Sequence, residues 1–520
     1  MSHNFVSQSL VGEHGARQYT KEAEEFLEDL AKSLEVPNEI FRRIEFQYQL
    51  MANWLERPHS RLAQFEPETY TQGSFQLGTI INPISEEDDY DIDLVCEVNI
   101  DKVDITQEKL KKLFGQELKD FTLSQNLAEP NSKKRCWELD HAPQYPFHMD
   151  ILPAIPDGTS RQSKYLSEGI RNEWLEYGVS ITDEEHENYR ICSPEWPHSN
   201  PKGYAEWFRS CMRTVFDQKR KAMALQERVA AAEDIPVYRV KTPLQSAIQI
   251  LKRHRDMTHD GDPDDKPISI IITTLAARAY GQDTTIAGAL YGILSRMEDH
   301  IEDRGCVPWI ENPTDPKENF ADKWPDPKYP HRKDAFYEWL EKAKEDFASV
   351  AEAVDKRMIG EALASSMGNH VINEALNRKS SGAFGKIWNI TKPRHKKEPP
   401  WGVNNIGEVK IVEAEYFRNG FRWHSFSGDS RALSKNCKLK FKAETNVTGD
   451  FDVYWQVVNT GYEAARADGL RGGFDITKTR GGSLVKEEST LYKGSHTIEC
   501  FIVKHGLCVA RSGEFIVNIR

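Results

Sequence analysis

The sequence predicts an α+β protein, with a mixed core of helices and strands, a helical second lobe and a C-terminal all-β sandwich. Three observations predict this fold class. Apolar residues recur at helical spacing over residues 20–55 and over much of residues 193–353. Between residues 89 and 152, short stretches alternate polar and apolar residues, which is typical of half-buried strands. From Val403 onward, alternating runs separated by glycines predict a small sandwich of about 120 residues.

Individual elements follow from the same two periods. Residues 20–55 are interpreted as two helices separated near Pro37, where the helical pattern is interrupted. Later helices are predicted at Pro243–His254, Ile268–Tyr280, Thr285–His300 and Lys333–Ala353. Strands are predicted at Asp89–Val98, Cys136–Leu139 and Phe147–Leu152.

The charge of the chain is distributed unevenly among four predicted regions. We expect a core over residues 1–200, a helical lobe over 201–378, a linker over 379–401 and the β-sandwich over 402–520. The net charge of −13 divides into −21 for residues 1–378, +5 for the linker and +3 for the sandwich. A body this acidic repels a phosphate backbone unless metal ions or a local basic groove intervene, so coating of duplex DNA is not expected.

Apolar content and cysteine spacing exclude other classes. The longest apolar stretch, Ile268–Ala277, is shorter than the roughly 20 residues that a transmembrane helix needs. The chain opens without a secretory signal pattern, so we expect a cytoplasmic protein without a membrane partner. The eight cysteines contain no Cys-x-x-Cys pair. Around Cys500 and Cys508, the nearest candidate for a zinc site, alternation favours a β-hairpin with buried thiols.

The most informative stretch for chemistry is Thr71–Val95. Asp91 and Asp93 are two residues apart in a predicted strand, so both carboxylates point to the same face. Joined by a third carboxylate from a neighbouring strand, they can hold two Mg²⁺ ions, with Mn²⁺ as a possible substitute. Asp150 is the natural third member, because alternate residues of its strand are apolar. Such a pair of ions activates an attacking hydroxyl and stabilises a leaving pyrophosphate.

A Gly-Ser pair precedes this acidic strand. Gly73 lets the backbone approach a phosphate closely, and the Ser74 hydroxyl can donate one further hydrogen bond. An Asp-x-Asp pattern alone is a weak signal in an acidic chain, because it recurs elsewhere and charged runs usually form a solvated face. The ordered combination of Gly-Ser, Asp-x-Asp in an alternating strand and a lone Asp in a second strand is much rarer.

This combination resembles a known family. Gln72-Gly73-Ser74, Asp91-Ile92-Asp93 and Asp150 are similar to the polymerase-β-like nucleotidyltransferases, and more narrowly to the bacterial cGAS/DncV-like nucleotidyltransferases of antiphage defence. Three further stretches carry the narrower resemblance: Ser199–Phe208, Thr242–Asp256 with Lys266–Ala277, and Asn312–Trp324. Residues 403–520 resemble the adenylyl/guanylyl and SMODS C-terminal sensor domain. The resemblance to the nucleotidyltransferases covers roughly residues 20–350 and implies a polymerase-β-like core.

The resemblance also implies roles for the three carboxylates. Asp91 and Asp93 correspond to ligands of both metal ions. Asp150 corresponds to the residue that also helps to deprotonate the attacking 3′- or 2′-hydroxyl. These three residues are therefore the expected catalytic and metal-binding set.

The nucleotide-binding residues come from the same resemblance. Gln72, Gly73 and Ser74 correspond to contacts with the donor triphosphate. Lys252 and Ser269 correspond to further triphosphate anchors. For Lys252 there is an independent argument, since a helix lysine facing a phosphate site supplies a point charge. Its alternative interpretation is a solvated helix lysine.

The resemblance implies a Mg²⁺-dependent enzyme that makes a cyclic oligonucleotide second messenger from NTPs, ATP among them, with release of pyrophosphate. Its product would act on a separate effector protein in antiphage signalling. One alternative is synthesis of a linear oligonucleotide or addition of nucleotides to an RNA acceptor, which the charge of −21 disfavours for a long RNA. Another is a catalytically weak nucleotide sensor. In the C-terminal module, Arg471, Trp455 and His496 are candidate ligand contacts, with a core position as the alternative for Trp455.

Overall fold

The computed structural model describes most of the chain. The described residues are 19–84, 89–140, 147–227, 231–235, 237–259, 265–352, 355–378, 395–403, 407–418, 420, 422–428, 433–459, 464, 467, 469–476, 483–492 and 494–519. Within these ranges, no helix combines the length and the apolar character that crossing a membrane requires.

Helices dominate the first 378 residues. They are α1 Lys21–Leu34, α2 Asn38–Glu56, α3 Gly73–Leu77, α4 Gln107–Gln125, α5 Gly158–Ser167, α6 Pro201–Glu227, α7 Pro243–Thr258, α8 Ser269–Ala279, α9 Ile286–Arg296, α10 Arg332–Glu352, α11 Lys356–Met367 and α12 Asn369–Asn377. The strands of this part are β1 Glu68–Thr71, β2 Tyr90–Glu97, β3 Asn131–Ser132, β4 Trp137–Asp140, β5 Phe147–Pro156, β6 Val179–Ile181, β7 His198–Ser199, β8 Glu302–Asp303, β9 Pro308–Trp309, β10 Glu311–Asn312 and β11 Asp315–Asn319.

The helices and strands predicted from periodicity are confirmed, with ends that differ by a few residues. The chain breaks between α1 and α2 at Pro37, as predicted. Helix α4 was not predicted. Its signal was present, because four fully buried residues recur along it at spacings of four, four and three: Leu110, Phe114, Leu118 and Phe121.

The sheet of the core places β2 and β5 side by side in its interior. The strand order is β1-β2-β5-β4-β3, and β6 extends the sheet from β5 to β7. Strands β2 and β5 run parallel, and their register sets Asp93 opposite Asp150. Alternate residues of β2 and β5, among them Ile92 and Met149, are fully buried in the core that α2 and α4 share. The alternation predicted from sequence therefore turns the aspartates of both strands to the other face.

Helix α7 lies at the centre of the helical lobe. Thr242 caps its N-terminus by accepting a hydrogen bond from the backbone of Gln245, whose side chain bonds back to Thr242. Pro243 occupies the first turn, where its missing amide hydrogen is not needed. Every residue from Pro243 to Arg255 is buried. This includes polar and charged side chains, which must therefore find internal partners.

The C-terminal residues form the predicted sandwich. Its strands are β12 Gly402–Val403, β13 Val409–Phe417, β14 Trp423–Ser425, β15 Lys438–Thr445, β16 Asp452–Val458, β17 Phe474–Ile476, β18 Val485–Ser489, β19 Gly494–Lys504, β20 Leu507–Arg511 and β21 Phe515–Ile519. One sheet has the order β12-β20-β19-β16-β17 with β21 on β19, and the other the order β14-β13-β15-β18. Cys500 and Cys508 are buried in the antiparallel β19–β20 pair, which confirms the hairpin interpretation.

Among the three ligand candidates of this module, only Arg471 is exposed. Trp455 is fully buried in the sandwich core, so its core interpretation is the correct one. His496 is also buried, and its Nε2 lies 2.7 Å from the carbonyl oxygen of Tyr492. Arg471 forms ion pairs with Asp475 and Glu488, so it is engaged within the domain.

The end of the predicted linker packs on the sandwich. Residues 379–394 lie outside the described part of the chain, but residues 395–401 are described. The Trp401 ring lies 4.4 Å from the Tyr454 ring and 5.0 Å from the Phe474 ring. Lys396 Nζ lies 2.6 Å from a carboxylate oxygen of Glu514. The domain boundaries themselves remain a prediction.

Candidate active site

Three carboxylates meet on the exposed face of strands β2 and β5. One oxygen from each of Asp91, Asp93 and Asp150 lies within 4.8 Å of the others. Asp91 is exposed, whereas Asp93 and Asp150 are partly buried. The parallel register of the two strands brings these residues together, although 56 residues separate Asp93 from Asp150 along the chain. The geometry thus unites the three predicted metal ligands.

Burial and mutual repulsion change the proton affinity of the cluster. Burial, together with the charges of Asp91 and Asp150, raises the pKa of Asp93 to about 7. Burial also raises the pKa of Asp150 above its usual range. His148 lies beside the cluster, with its Nε2 3.4 Å from Asp91 Oδ1, and this hydrogen bond raises the pKa of His148. Like charges held this close favour the protonated carboxyl group unless a cation binds between them.

The unpaired atoms of the cluster fit a divalent cation. Asp150 Oδ1 is buried and has no hydrogen-bond partner among the described residues, while its Oδ2 accepts a long hydrogen bond of 3.4 Å from the Cys136 thiol. A buried carboxylate oxygen without a partner is costly unless a cation or a water binds it. Carboxylate oxygens are the ligands that Mg²⁺ and Mn²⁺ prefer. Asp91, Asp93 and Asp150 can therefore hold a divalent metal.

The Gly-Ser pair lies directly against this cluster. Helix α3 begins at Gly73, whose φ of +61° is the left-handed region that glycine tolerates. A Cβ atom at this position would lie 2.2 Å from Asp93 Oδ2. The backbone amide of Gln72 donates a hydrogen bond of 2.9 Å to the carbonyl oxygen of Asp93. Ser74 follows on the side that faces the cleft.

A cleft of about 680 Å³ lies in front of these residues. Asp91 and Asp93 form part of its acidic wall, together with Gly73 and Ser74. Helices α7 and α8 form the opposite wall, where α7 supplies Lys252 and Arg255, and Lys266 lies just before α8. Asp256 of the same wall is paired with Arg255 and Lys266. Of the predicted site residues, Gln72 and Asp150 do not line the cleft directly. An acidic wall facing a basic wall suits a ligand that carries both metal ions and phosphate groups.

The structure places Lys252 and Ser269 on the basic wall. Lys252 is 5% exposed, and its Nζ donates hydrogen bonds of 3.2 and 3.1 Å to the carbonyl and hydroxyl oxygens of Thr79. Burial lowers the pKa of Lys252 to about 7, and the nearby charge of Arg255 adds to this effect. Ser269 begins α8, and its Oγ accepts a hydrogen bond of 2.8 Å from Arg255. The alternative interpretation of Lys252 as a solvated helix lysine is therefore wrong.

Sequence reasoning did not select three polar residues that shape the site. Arg255 and Lys266 line the cleft, and His148 touches Asp91. The sequence spacing could have identified two of them. Arg255 is three residues from Lys252, on the same face of a helix, and His148 is two residues from Asp150, on the same face of a strand. Lys266 follows residues 260–264, which lie outside the described part of the chain, and it had no local signal of this kind.

Metal binding at this site is expected to weaken in acid. Because a proton and a cation compete for Asp93, whose pKa is about 7, the affinity for Mn²⁺ should fall about tenfold per pH unit below pH 7. Above about pH 8 the carboxylate is already ionised and the affinity should level off. Titration of free Mn²⁺ by electron paramagnetic resonance at several pH values measures this dependence. A constant affinity between pH 5.5 and 8 would contradict it.

The fold and the carboxylate cluster define a polymerase-β-like nucleotidyltransferase, and comparisons with known proteins agree. Residues 67–153 match the family model of the cyclic GMP-AMP synthase DncV-like nucleotidyltransferase domain. Residues 391–520 match that of the adenylyl/guanylyl and SMODS C-terminal sensor domain. The two matched regions contain the metal-site cluster and the sandwich, respectively.

Two curated relatives and one solved structure extend the match beyond these regions. The c-di-GMP synthase of Roseivirga ehrenbergii is 30% identical over 312 residues, 58% of this chain and 73% of the relative. The cyclic dinucleotide synthase CdnG of Bradyrhizobium diazoefficiens is 24% identical over 319 residues, 58% of this chain and 70% of the relative. The structure of CdnG with GTP aligns over 68% of this chain and 98% of its own, with a TM-score of 0.50 and 20% identity. This chain therefore belongs to the cGAS/DncV-like nucleotidyltransferases and carries the family's C-terminal sensor domain.

Proposed function

We propose that this nucleotidyltransferase makes a cyclic oligonucleotide from NTPs, with release of pyrophosphate, at the cleft between β2 and helices α7 and α8. The observation that carries the proposal is the carboxylate cluster of Asp91, Asp93 and Asp150 beside a cleft whose opposite wall holds Lys252. A phosphoryl-transfer site needs this arrangement, because it must bind both the metal ions and the negatively charged triphosphate.

In this proposal the carboxylates of β2 and β5 bind the metal ions, and residues of both cleft walls bind the triphosphate. Asp91 and Asp93 bind the metal ions, which we propose to be two Mg²⁺ ions. Asp150 adds a ligand and, as the family resemblance implies, helps to deprotonate the attacking hydroxyl. When bound, the ions supply activation of that hydroxyl and stabilise the charge of the leaving pyrophosphate.

The donor triphosphate is held from both sides of the cleft. Ser74 donates a hydrogen bond from α3, and the small Gly73 lets the phosphates approach the metal ligands. Lys252 and Ser269 contact the triphosphate from the helical wall. Gln72 contributes through its backbone, which is bonded to Asp93. A phosphate beside Lys252 raises the proton affinity of its buried amine and so strengthens the contact.

Names of the relatives suggest which substrate to test first. One relative is named a c-di-GMP synthase, and the other is a cyclic dinucleotide synthase whose structure contains GTP. We therefore propose GTP as a substrate and retain ATP as the second nucleotide expected from the resemblance. A cyclic dinucleotide is the corresponding product.

Incubation of the full chain with all four NTPs and Mg²⁺ or Mn²⁺ is expected to yield a product that resists phosphatase. A cyclic product has no terminal phosphate, whereas a linear one loses its terminal phosphates and changes mass. Mass spectrometry before and after phosphatase treatment reads this difference directly. Omitting each NTP in turn identifies the bases that are used.

Other results would favour the alternatives. A product that loses phosphates to phosphatase indicates linear synthesis, and label transferred to added RNA indicates tailing. Nucleotide binding by calorimetry without release of pyrophosphate indicates a catalytically weak sensor. Each of these three results, found in place of a phosphatase-resistant product, would overturn cyclic synthesis.

We also propose that the enzyme acts in antiphage defence in the cytoplasm, through a separate effector protein that responds to its product. This proposal rests on the family resemblance. Phage plating on cells that carry the native locus, compared with cells that carry the Asp91→Asn, Asp93→Asn variant, tests it. Equal plating of the phage on both would count against a defensive role.

A further inference from the structure

The segment that runs from the last residue of α3 to Asn82 is held by side chains of α7 and of the residues just before it. This segment, residues 77–82, is called here the cleft turn, because five of its six residues line the cleft. It begins at the C-terminal end of α3, where Gly78 adopts a φ of +66°. The backbone amides of Thr79 and Ile80 donate hydrogen bonds of 2.9 and 3.1 Å to the carbonyl oxygen of Ser74. The cleft turn is therefore bonded to the helix that carries Ser74.

Five carbonyl oxygens of the cleft turn each accept a hydrogen bond from a different side chain. Four of the donors lie on α7, and the fifth, Lys241, lies two residues before that helix. These bonds are Gln245 Nε2 to Leu77 (2.9 Å), Lys241 Nζ to Gly78 (2.6 Å), Lys252 Nζ to Thr79 (3.2 Å), Gln249 Nε2 to Ile80 (2.6 Å) and Arg253 Nη2 to Asn82.

The helical period explains how one helix supplies four of these donors. Gln245, Gln249, Lys252 and Arg253 are separated by four, three and one residues, so they share one face of α7. All four are buried. Packing a helix against a loop with long polar side chains costs free energy, because each side chain loses conformational entropy and each donor loses its hydration. Hydrogen bonds to the loop must offset both costs. The common target of the four side chains indicates that they hold the cleft turn in one position.

Gln249 is the clearest member of this set. It is 1% exposed, and its Nε2 donates to Ile80 while its Oε1 is buried without a hydrogen-bond partner among the described residues. The amide is retained although one of its polar atoms is unsatisfied, which an apolar side chain of similar size would avoid. Unlike Lys252, Gln249 does not line the cleft, so it acts through the turn and not on the substrate.

We propose that Gln249 is a positioning residue of the transferase: it holds the cleft turn so that Ser74 keeps its place beside the metal-binding aspartates. This inference rests on the proposed function, since it assigns a role in that reaction. Gln249 donates a hydrogen bond to the carbonyl oxygen of Ile80, and the Ile80 amide donates one to the carbonyl oxygen of Ser74. Gly73, next to Ser74, lies directly against the Asp93 carboxylate. Gln245 holds the start of the same turn through Leu77.

Replacing Gln249 by leucine tests the proposal, because it removes the donor and keeps the volume. Turnover should fall about 10- to 100-fold at saturating NTP, while KM changes much less, since misplacement of a reacting group acts on the chemical step. Hydrogen exchange of peptides covering residues 77–82 should become faster, by about tenfold or more. The second measurement does not depend on activity. If Gln249→Leu fails to fold, the unbranched variant Gln249→Met removes the same donor.

The matched control is Gln456→Leu in the sandwich. Gln456 is also 1% exposed, and its Nε2 donates to the carbonyl oxygens of Lys397 and Gly472 at 2.7 and 2.8 Å. Its loss should leave turnover and exchange of residues 77–82 unchanged. A folded Gln249→Leu variant with wild-type turnover, or an equal loss in Gln456→Leu, would overturn the positioning role. If the wild-type protein makes no product, the proposed function fails, and the exchange of residues 77–82 alone decides whether Gln249 holds the turn.

Discussion

The double substitution Asp91→Asn, Asp93→Asn is expected to abolish nucleotide transfer, lowering turnover by more than about 1,000-fold. Both residues contribute oxygens to the cluster of carboxylates that lie within 4.8 Å of one another, and an amide cannot replace a negatively charged ligand of a hard divalent cation. Release of pyrophosphate with GTP and ATP measures the loss. Because the proposed reaction depends on this cluster, retained turnover in the variant would exclude two-metal chemistry there.

The loss should not come from unfolding. Asp93 has a pKa of about 7 in the folded protein, so above pH 7 its ionised form opposes folding, relative to an unfolded chain in which it titrates near its usual pKa of 3.8. Asparagine carries no charge, so at pH 8 the metal-free variant should have a free energy of unfolding higher by on the order of 1–3 kcal/mol. Below about pH 3 the difference should vanish, because the carboxyl group is then protonated in the folded and in the unfolded state. Thermal unfolding at pH 8 in the presence of a chelator checks the sign.

A matched control exists in the sandwich. Asp450 and Asp452 have the same Asp-x-Asp spacing, and both are exposed. Their double replacement by asparagine should leave pyrophosphate release unchanged. An equal loss of activity in this control would mean that the effect of the Asp91 and Asp93 replacements is not specific to the site.

Replacing Gly73 by alanine is the second large effect expected, with a loss of turnover of about 100-fold. The new methyl group would lie 2.2 Å from Asp93 Oδ2, so either the carboxylate or the start of α3 must move. The positive φ of +61° adds strain of about 1–2 kcal/mol for any residue with a Cβ atom. Pyrophosphate release and affinity for Mn²⁺ should both decrease.

The substitution Gly169→Ala distinguishes the effect of backbone strain from the effect of the contact with Asp93. The φ of Gly169 is +79°, but a Cβ atom there would meet nothing within 4 Å. Gly169→Ala therefore imposes comparable backbone strain without contact to any neighbour. It should lower the unfolding temperature slightly and leave turnover intact. If Gly73→Ala behaves in the same way as Gly169→Ala, the close approach of Gly73 to Asp93 has no part in activity.

The sequence was sufficient to predict much of the fold and the centre of the site. Asp91, Asp93 and Asp150 were predicted because strand alternation is a local property that determines which face a side chain occupies. For Trp455 the sequence supports two interpretations, since periodicity shows that a residue can face a core without showing whether a ligand reaches it.

The bonds that hold the cleft turn could not be predicted in this way. Gln249 and Ile80 are 169 residues apart, and Lys252 and Thr79 are 173 apart. No local period links such positions, and a backbone carbonyl has no signature in the amino-acid sequence. The spacing of Gln245, Gln249 and Lys252 in the sequence indicates one polar face of α7. The backbone that this face binds, residues 77–82, is identified only by the three-dimensional structure.

The position of Asp93 and Asp150 on adjacent interior strands has a consequence for how this protein can diversify. Strand β2 is hydrogen-bonded to β1 and β5, and β5 is hydrogen-bonded to β2 and β4. The two carboxylates therefore cannot move apart unless backbone hydrogen bonds between these strands break. The facing wall of the cleft includes side chains on α8 that have no proposed contact with the triphosphate, namely Ile270 and Thr273. Substitutions on that wall can change which nucleotide is accepted while the metal ligands keep their spacing. A library for altered base preference therefore belongs on α8, and the strands should be left untouched.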